Sequence, residues 1–142
     1  MAYLDTSILG SYYCPEDLSR VVNRELAGLH DLVISPLVEV EFCSLVALKV
    51  RTREMSRAAA HKALGLFRQH LDEGYFQIVD IGPREYDTAR AWLSAFNTSL
   101  RALDALHLAC AFVHGQRLWT TDKPLAHAAQ ILGVDHLLLS PR

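Results

Sequence analysis

Short apolar runs alternate with longer amphipathic stretches along the chain. The apolar runs occupy residues 2–4, 32–35, 76–81, 117–121 and 136–139. Each is too short for a helix. The first four stop at Asp5, Pro36, Gly82-Pro83 and Asp122, which are turn or capping residues. The runs therefore predict five strands. Between them, residues 16–29, 37–50, 56–71, 84–95, 102–114 and 124–132 read as helices. The first of these has apolar positions at Leu18, Val21, Val22, Leu26 and Leu29, a helical spacing. Ser56 and Asp122 fit N-caps, and Gly115 and Gly133 fit helix stops. Strand–helix alternation predicts an α/β fold: a three-layer α/β/α sandwich around a central, mostly parallel five-stranded sheet. No repeat, low-complexity run or linker breaks the pattern, so residues 1–142 read as a single domain.

Composition narrows the function. The chain is 51% hydrophobic and 21% charged, enough to build a core without metal or disulfide staples. Its formal charge of −2 gives too weak a field to steer it onto nucleic acid or membrane as a whole. Any contact with nucleic acid must use a local patch. Residues 49–68 supply one candidate: Lys49, Arg51, Arg53, Arg57, Lys62 and Arg68 stand against a single acid, Glu54. That stretch suits a phosphate backbone, an acidic partner, or simply a solvated helix face. Cys14, Cys43 and Cys110 are widely spaced, with no CxxC pair, which predicts three buried free thiols in a reducing cytoplasm. Met1-Ala2-Tyr3-Leu4-Asp5 has no basic or apolar leader region, so no secretory signal is expected. No run approaches the ~18 apolar residues of a membrane span.

Candidate chemistry lies in carboxylates. Ligands of an open α/β sheet bind outside the carboxyl ends of its strands. Asp5 ends the first predicted strand, Asp122 ends the fourth, and Glu41 lies in the first turns of the helix after the second. Asp104 opens an apolar helix and joins the others if that helix starts on the same side. Singly, each has a plain role: Asp5 and Asp122 as caps, Asp104 as a partner of the helix dipole, Glu41 as a solvated side chain. Together they would repel, by about 4 kcal/mol per pair at 4 Å and an effective dielectric near 20. Such a cluster persists by raised pKa values or by holding a divalent cation. Oxygen ligands without paired His or Cys suit Mg²⁺ or Mn²⁺. Glu39 lies about 200° from Glu41 on a helix. Glu41 shares a stripe with Leu37, Leu45 and Leu48, expected to pack towards the sheet; Glu39 shares one with Cys43 and Val46. The pattern alone leaves the choice open.

Four segments carry a family resemblance. Tyr3-Leu4-Asp5-Thr6-Ser7, the stretch from Ser35 to Phe42, the stretch from Leu100 to Ala109 (LRALDALHLA) and Thr120-Thr121-Asp122-Lys123-Pro124 occur in that order. The sequence resembles the PIN-domain family, and within it the VapC-type toxin nucleases. Glu41, rather than Glu39, stands at the family's second acidic position. Thr121 stands where a bulky apolar residue is commoner in the family. The resemblance implies Asp5, Glu41, Asp104 and Asp122 as the catalytic and metal-binding residues, with Mg²⁺ (or Mn²⁺) as cofactor. It also implies RNA as substrate, a cognate antitoxin protein as partner, and a homodimer.

Such a site would hydrolyse phosphodiesters in line, the metal generating hydroxide and neutralising phosphoryl charge. Thr6, Ser7 and Thr120 could orient the acids or serve only as caps. His107, one turn after Asp104, fits either a buried structural histidine or a donor to the site. Two other Asp-dependent classes fail. A haloacid-dehalogenase-type phosphatase needs a second Asp where Ser7 stands, and a receiver domain needs an acidic pair after the first strand. A PIN-like module that binds without cutting, or a housekeeping RNA-processing nuclease, remains as the alternative.

Overall fold

The structure is a computed structural model and describes residues 1–141. The chain runs β1 (Ala2–Leu4), α1 (Thr6–Tyr13), α2 (Ser19–Leu26), β2 (Leu32–Ile34), α3 (Pro36–Arg51), α4 (Arg57–Asp72), β3 (Gln77–Ile78), α5 (Pro83–Ser94), α6 (Ala102–Val113), β4 (Arg117–Thr120), α7 (Lys123–Leu132) and β5 (His136–Leu138). The five strands form one sheet in the order β3-β2-β1-β4-β5, and every neighbouring pair is parallel. Helices cover the sheet in the layered arrangement that the alternating pattern predicts. Strands β1 and β2 are buried at every residue, whereas the edge strand β3 is exposed at both of its residues. A central parallel strand with helices on both faces must be apolar throughout, which is why Ala2-Tyr3-Leu4 and Leu32-Val33-Ile34 show no alternation. Among the described residues, no helix is long and apolar enough to cross a membrane.

Four expectations need correction. Residues 76–81 form only a two-residue strand, because β3 has a neighbour on one side and Gly82-Pro83 soon ends it. Asp80 therefore lies beyond the strand, not within it. The helix expected over 16–29 is confined to Ser19–Leu26, preceded by Pro15 and the exposed Glu16 and Asp17. A helix absent from the sequence pattern, α1, follows Asp5 at once. Its Ile8, Leu9, Gly10 and Ser11 are all buried, so no single apolar face marks it. Gly10 lets α1 approach α3 closely, since a Cβ there would lie 2.7 Å from Leu45 Cδ2. Finally, Cys14 and Cys110 are buried free thiols, but Cys43 is exposed on α3.

A buried carboxylate fastens the α5–α6 pair. Glu85, 5% exposed, accepts a hydrogen bond from Gly82 N–H at 3.0 Å and pairs with His114 Nε2 at 3.1 Å. Burial pushes its carboxyl up, but the backbone N–H groups of Glu85 and Gly82 and the nearby His114 outweigh this and hold it below the usual glutamate range. A depressed acid contributes stability above its unfolded pKa and loses that contribution as pH falls through the folded value. Glu85→Gln should therefore lower stability at pH 7 by about 1–2 kcal/mol. In urea denaturation the gap to wild type should close as pH drops below about 4; a gap independent of pH would show that the charge is not involved.

Candidate active site at the carboxyl edge of the sheet

All strands point one way, so their carboxyl ends share one edge, and each of β1, β2 and β4 passes into a helix within a residue or two. Asp5 is the N-cap of α1 and Asp122 the N-cap of α7. Their side chains accept from Ile8 N–H and Leu125 N–H, at 3.2 and 3.3 Å. The plain capping roles are thus real. They do not use up Asp122: among the described residues, no donor meets its second oxygen.

Asp5 is the most enclosed of the four acids, at 4% exposure. Ser7 Oγ donates to its Oδ1 at 2.5 Å and Thr120 Oγ1 to its Oδ2 at 2.5 Å. Burial pushes its carboxyl above the usual aspartate range, against the pull of Ser7, Thr120 and His107. Thr120 in turn accepts from Asp122 N–H at 2.9 Å, and Ser7 Oγ accepts from Thr121 N–H at 2.9 Å. These hydroxyls bind the end of β1 to the end of β4, joining Asp5 to the segment that bears Asp122.

Glu41 lies in the second turn of α3, where Thr6 Oγ1 donates to its Oε1 at 2.8 Å. His107 Nε2 bonds the same oxygen. Burial pushes the Glu41 carboxyl up, but His107 and Thr6 outweigh that and hold it below the ordinary range. The Glu39 side chain makes no hydrogen bond or ion pair among the described residues and lies off this network. The expected stripe is corrected here: α3 buries Val38, Phe42 and Val46, whereas Leu48 is 47% exposed. Glu41 lies beside that face, about 100° round the helix from Phe42, and turns to Thr6 of α1 and His107 of α6.

Asp104 sits in the first turn of α6, half-buried, so α6 does start on the required side. Burial raises its pKa first, and the charges of Asp122 and Glu41 add to this, against His107 and Arg101. The acids of α3, α6 and α7 therefore feel one another. Asp104, the second oxygen of Asp122 and Glu41 Oε2 have no protein donor among the described residues. This donor set, all oxygen and all anionic, suits a hard divalent cation. Even so, no three His, Cys, Asp or Glu side chains among the described residues are close enough to form a ready metal-binding group. The hydroxyls of Tyr3 and Ser35 also adjoin the site; Tyr3 is the central residue of β1 and Ser35 follows β2, and nothing else in the sequence pattern singles them out.

A raised folded-state pKa means that ionising Asp104 costs stability, increasingly so as pH rises through that value. In chelator at pH 7.5, Asp104→Asn should therefore melt higher than wild type. Solvent screening of a half-exposed acid limits the gain to about 1 kcal/mol or less, roughly 2–4 °C. Melting curves at pH 7.5 and pH 4 test this, the advantage shrinking at the lower pH; a lower melting temperature at both would show that the charge is not a burden.

The chain is similar in fold to several solved structures. These include FitAcB from Neisseria gonorrhoeae (20% identity, 96% of each chain covered, TM-score 0.68). A second is VapC20 from Mycobacterium tuberculosis, described as a sarcin-ricin loop cleaving toxin (16% identity, 90% of this chain and 95% of that one, TM-score 0.70). A third is VapBC2 from Rickettsia felis bound to a DNA fragment from its promoter (18% identity, 99% and 100% covered, TM-score 0.70). At these identities the likeness is one of fold. No curated protein sequence matches the chain. The PIN domain family matches residues 2–131, nearly the whole length, and the chain belongs to that family.

Proposed function

We propose that the protein is a Mg²⁺- or Mn²⁺-dependent ribonuclease that hydrolyses RNA phosphodiester bonds, and that it is the toxin of a toxin–antitoxin pair. One observation carries the reading: Glu41, Asp104 and Asp122 keep carboxylate oxygens free of protein donors at one sheet edge, next to the buried Asp5. Membership of a family whose nucleases generally use divalent ions supports it. Asp5, Glu41, Asp104 and Asp122 would hold the ion. A bound divalent cation lowers the pKa of water and offsets charge on the phosphoryl group. Ser7 and Thr120 fix the Asp5 carboxylate and favour its ionised form against burial. Thr6 and His107 do the same for Glu41. Arg101, exposed at the N-cap of α6 and close enough to act on Asp104, is placed to meet a phosphate.

The antitoxin partner is supported by a structure of similar fold from Klebsiella pneumoniae that is described as a toxin–antitoxin complex. On this chain a cleft between α3 and α4 offers Ala47, Val50 and Leu64, with Arg51 and Arg57 beside them. An acidic amphipathic segment suits that mixture. Lys49 is already engaged, bonding Glu16 at 3.0 Å and Glu54 at 3.5 Å, so the basic stretch 49–68 is weaker than its composition implies. The rival reading, RNA or protein binding without cleavage, draws on the absence of a ready three-ligand group among the described residues.

Inducible expression separates the two. Wild type should arrest growth with cellular RNA cut, while Asp5→Asn and Asp104→Asn stay soluble and harmless. Asn is as good an N-cap as Asp, so helix α1 survives the first change. Glu41→Gln should also abolish cleavage, and Glu39→Gln should leave it largely intact. Equal toxicity of all variants would favour harm by binding; harmless wild type with intact RNA would remove the toxin reading.

A homodimer is the proposed assembly. Val40 is 68% exposed, Phe96 90%, Tyr86 48% and Leu103 47%, a large apolar burden for a lone domain. Sedimentation at micromolar concentration should show a dimer that Val40→Asp or Phe96→Asp weakens; a monomeric wild type would contradict it.

A further inference from the structure

We infer that His107 is a positioning residue for Glu41, locked in its donating form by a buried hydroxyl chain that runs through Tyr3 to Ser35. The inference rests on the proposal that Glu41 is a metal ligand and concerns how this chain holds that ligand in place. Four elements supply the chain. Tyr3 stands in β1, Ser35 at the end of β2, His107 in α6 and Glu41 in α3. Ser35 Oγ lies 2.7 Å from Tyr3 Oη, and Tyr3 Oη lies 2.9 Å from His107 Nδ1. His107 Nε2 then meets Glu41 Oε1. Tyr3 and Ser35 are fully buried and His107 is 3% exposed, so water does not replace the two links among them.

With the His107 ring neutral, hydrogen-bond logic sets the direction of the links. An ionised carboxylate only accepts, so Nε2 must carry a hydrogen. A neutral imidazole has one N–H, so Nδ1 accepts and the Tyr3 hydroxyl donates to it. Tyr3 oxygen then accepts from Ser35. In this arrangement the Ser35 and Tyr3 hydroxyls and both ring nitrogens have partners, with the Cys110 thiol a further neighbour of the Tyr3 hydroxyl, and the ring cannot flip without breaking two bonds at once.

Ser35 gives an independent sign that the chain is directed. It occupies the N-cap position of α3, where a serine hydroxyl ordinarily caps the helix, yet it makes no capping bond. Its hydroxyl is committed to Tyr3 instead. Glu41 is a long side chain with several free torsions. Thr6 and His107 hold the same oxygen, Oε1, and leave Oε2 without a protein donor. That division is what an oriented ligand needs, one oxygen anchored and one open. Asp104 precedes His107 by three residues on the same helix, so α6 sets the distance between one proposed ligand and the anchor of another.

The test measures Mn²⁺ affinity by calorimetry without RNA, beside melting curves, for wild type, His107→Leu, His107→Gln and Tyr3→Phe. Leu fills the ring's place but cannot donate; the Gln amide nitrogen reaches the position of Nε2 and can. His107→Leu should bind Mn²⁺ about tenfold or more weakly, as loss of such a supporting contact does elsewhere. His107→Gln should recover most of that loss at a similar melting temperature, and Tyr3→Phe should weaken binding in the same direction. Binding by His107→Leu equal to wild type overturns the inference and leaves Glu41's own role standing. So does equal weakening in Leu and Gln, which would mark a purely structural histidine. If His107→Leu fails to fold, unchanged affinity in Tyr3→Phe overturns it. A wild type that takes up no Mn²⁺ removes the metal reading itself, and this inference with it.

Discussion

The arrangement depends on one constraint: β1 lies at the centre of an all-parallel sheet, paired with β2 on one side and β4 on the other. Parallel register sends the carboxyl ends of all three to the same edge. Asp5 directly follows β1 and directly precedes α1, so one residue is both the strand's exit and the helix's cap. No loop separates the scaffold from the chemistry. The carboxylate position is therefore as well defined as the strand itself, which is how a precise site is built on rigid elements. Burial of that edge carries a desolvation cost, and Ser7, Thr120 and the Ile8 N–H offset it.

That constraint explains what was legible in the sequence. Uniformly apolar runs marked β1 and β2 because a central parallel strand admits no polar face, and Leu118-Trp119 between Gly115 and Asp122 marked β4. The acids at their ends followed from the strands, and ordered motifs placed Asp104 beside them. Edge strand β3 was overextended because Phe76, Ile78, Val79 and Ile81 read as a strand, although only Gln77 and Ile78 pair with β2. Helix α1 was invisible because consecutive residues Ile8 to Ser11 are all buried, which erases the 3.6-residue period. The face of α3 was misread for a related reason. Leucines at 37, 45 and 48 suggested one stripe, but α1 and α4 both pack on this helix and select Val38, Phe42 and Val46. Tyr3 and Ser35 are separated from His107 by 104 and 72 positions of chain, and only the fold brings the three hydroxyl and ring atoms together.

The four acids are not equivalent. Asp5 has both oxygens bound by protein donors and joins β1 to β4, so it acts as a hub. Glu41 and Asp122 each have one oxygen anchored and one open, and Asp104 has neither anchored. Asp104 is accordingly the acid whose pKa is raised by burial and further by its neighbours' charges, while Glu41 is held low by its donors. The edge thus contains a gradient from fixed to unfixed carboxylate, with the least fixed beside the two open oxygens.

Helix dipoles do not resolve this imbalance. The N-termini of α1, α3, α6 and α7 all open on the edge, and each favours a nearby anion by about 0.3–1 kcal/mol. A like-charged pair at contact distance costs about 4 kcal/mol at an effective dielectric near 20, and roughly half that at twice the separation. Four helix ends can offset one or two such separated pairs, not a cluster drawn together around a point. The acids therefore stay apart in the protein alone, with Asp104 shifted towards its protonated form. Bringing them to ligand distance requires a positive charge greater than any dipole supplies, and Arg101, whose charge reaches Asp104, lies exposed at the rim. Under the proposed function, a divalent cation would supply that charge to the open oxygens of Glu41, Asp104 and Asp122.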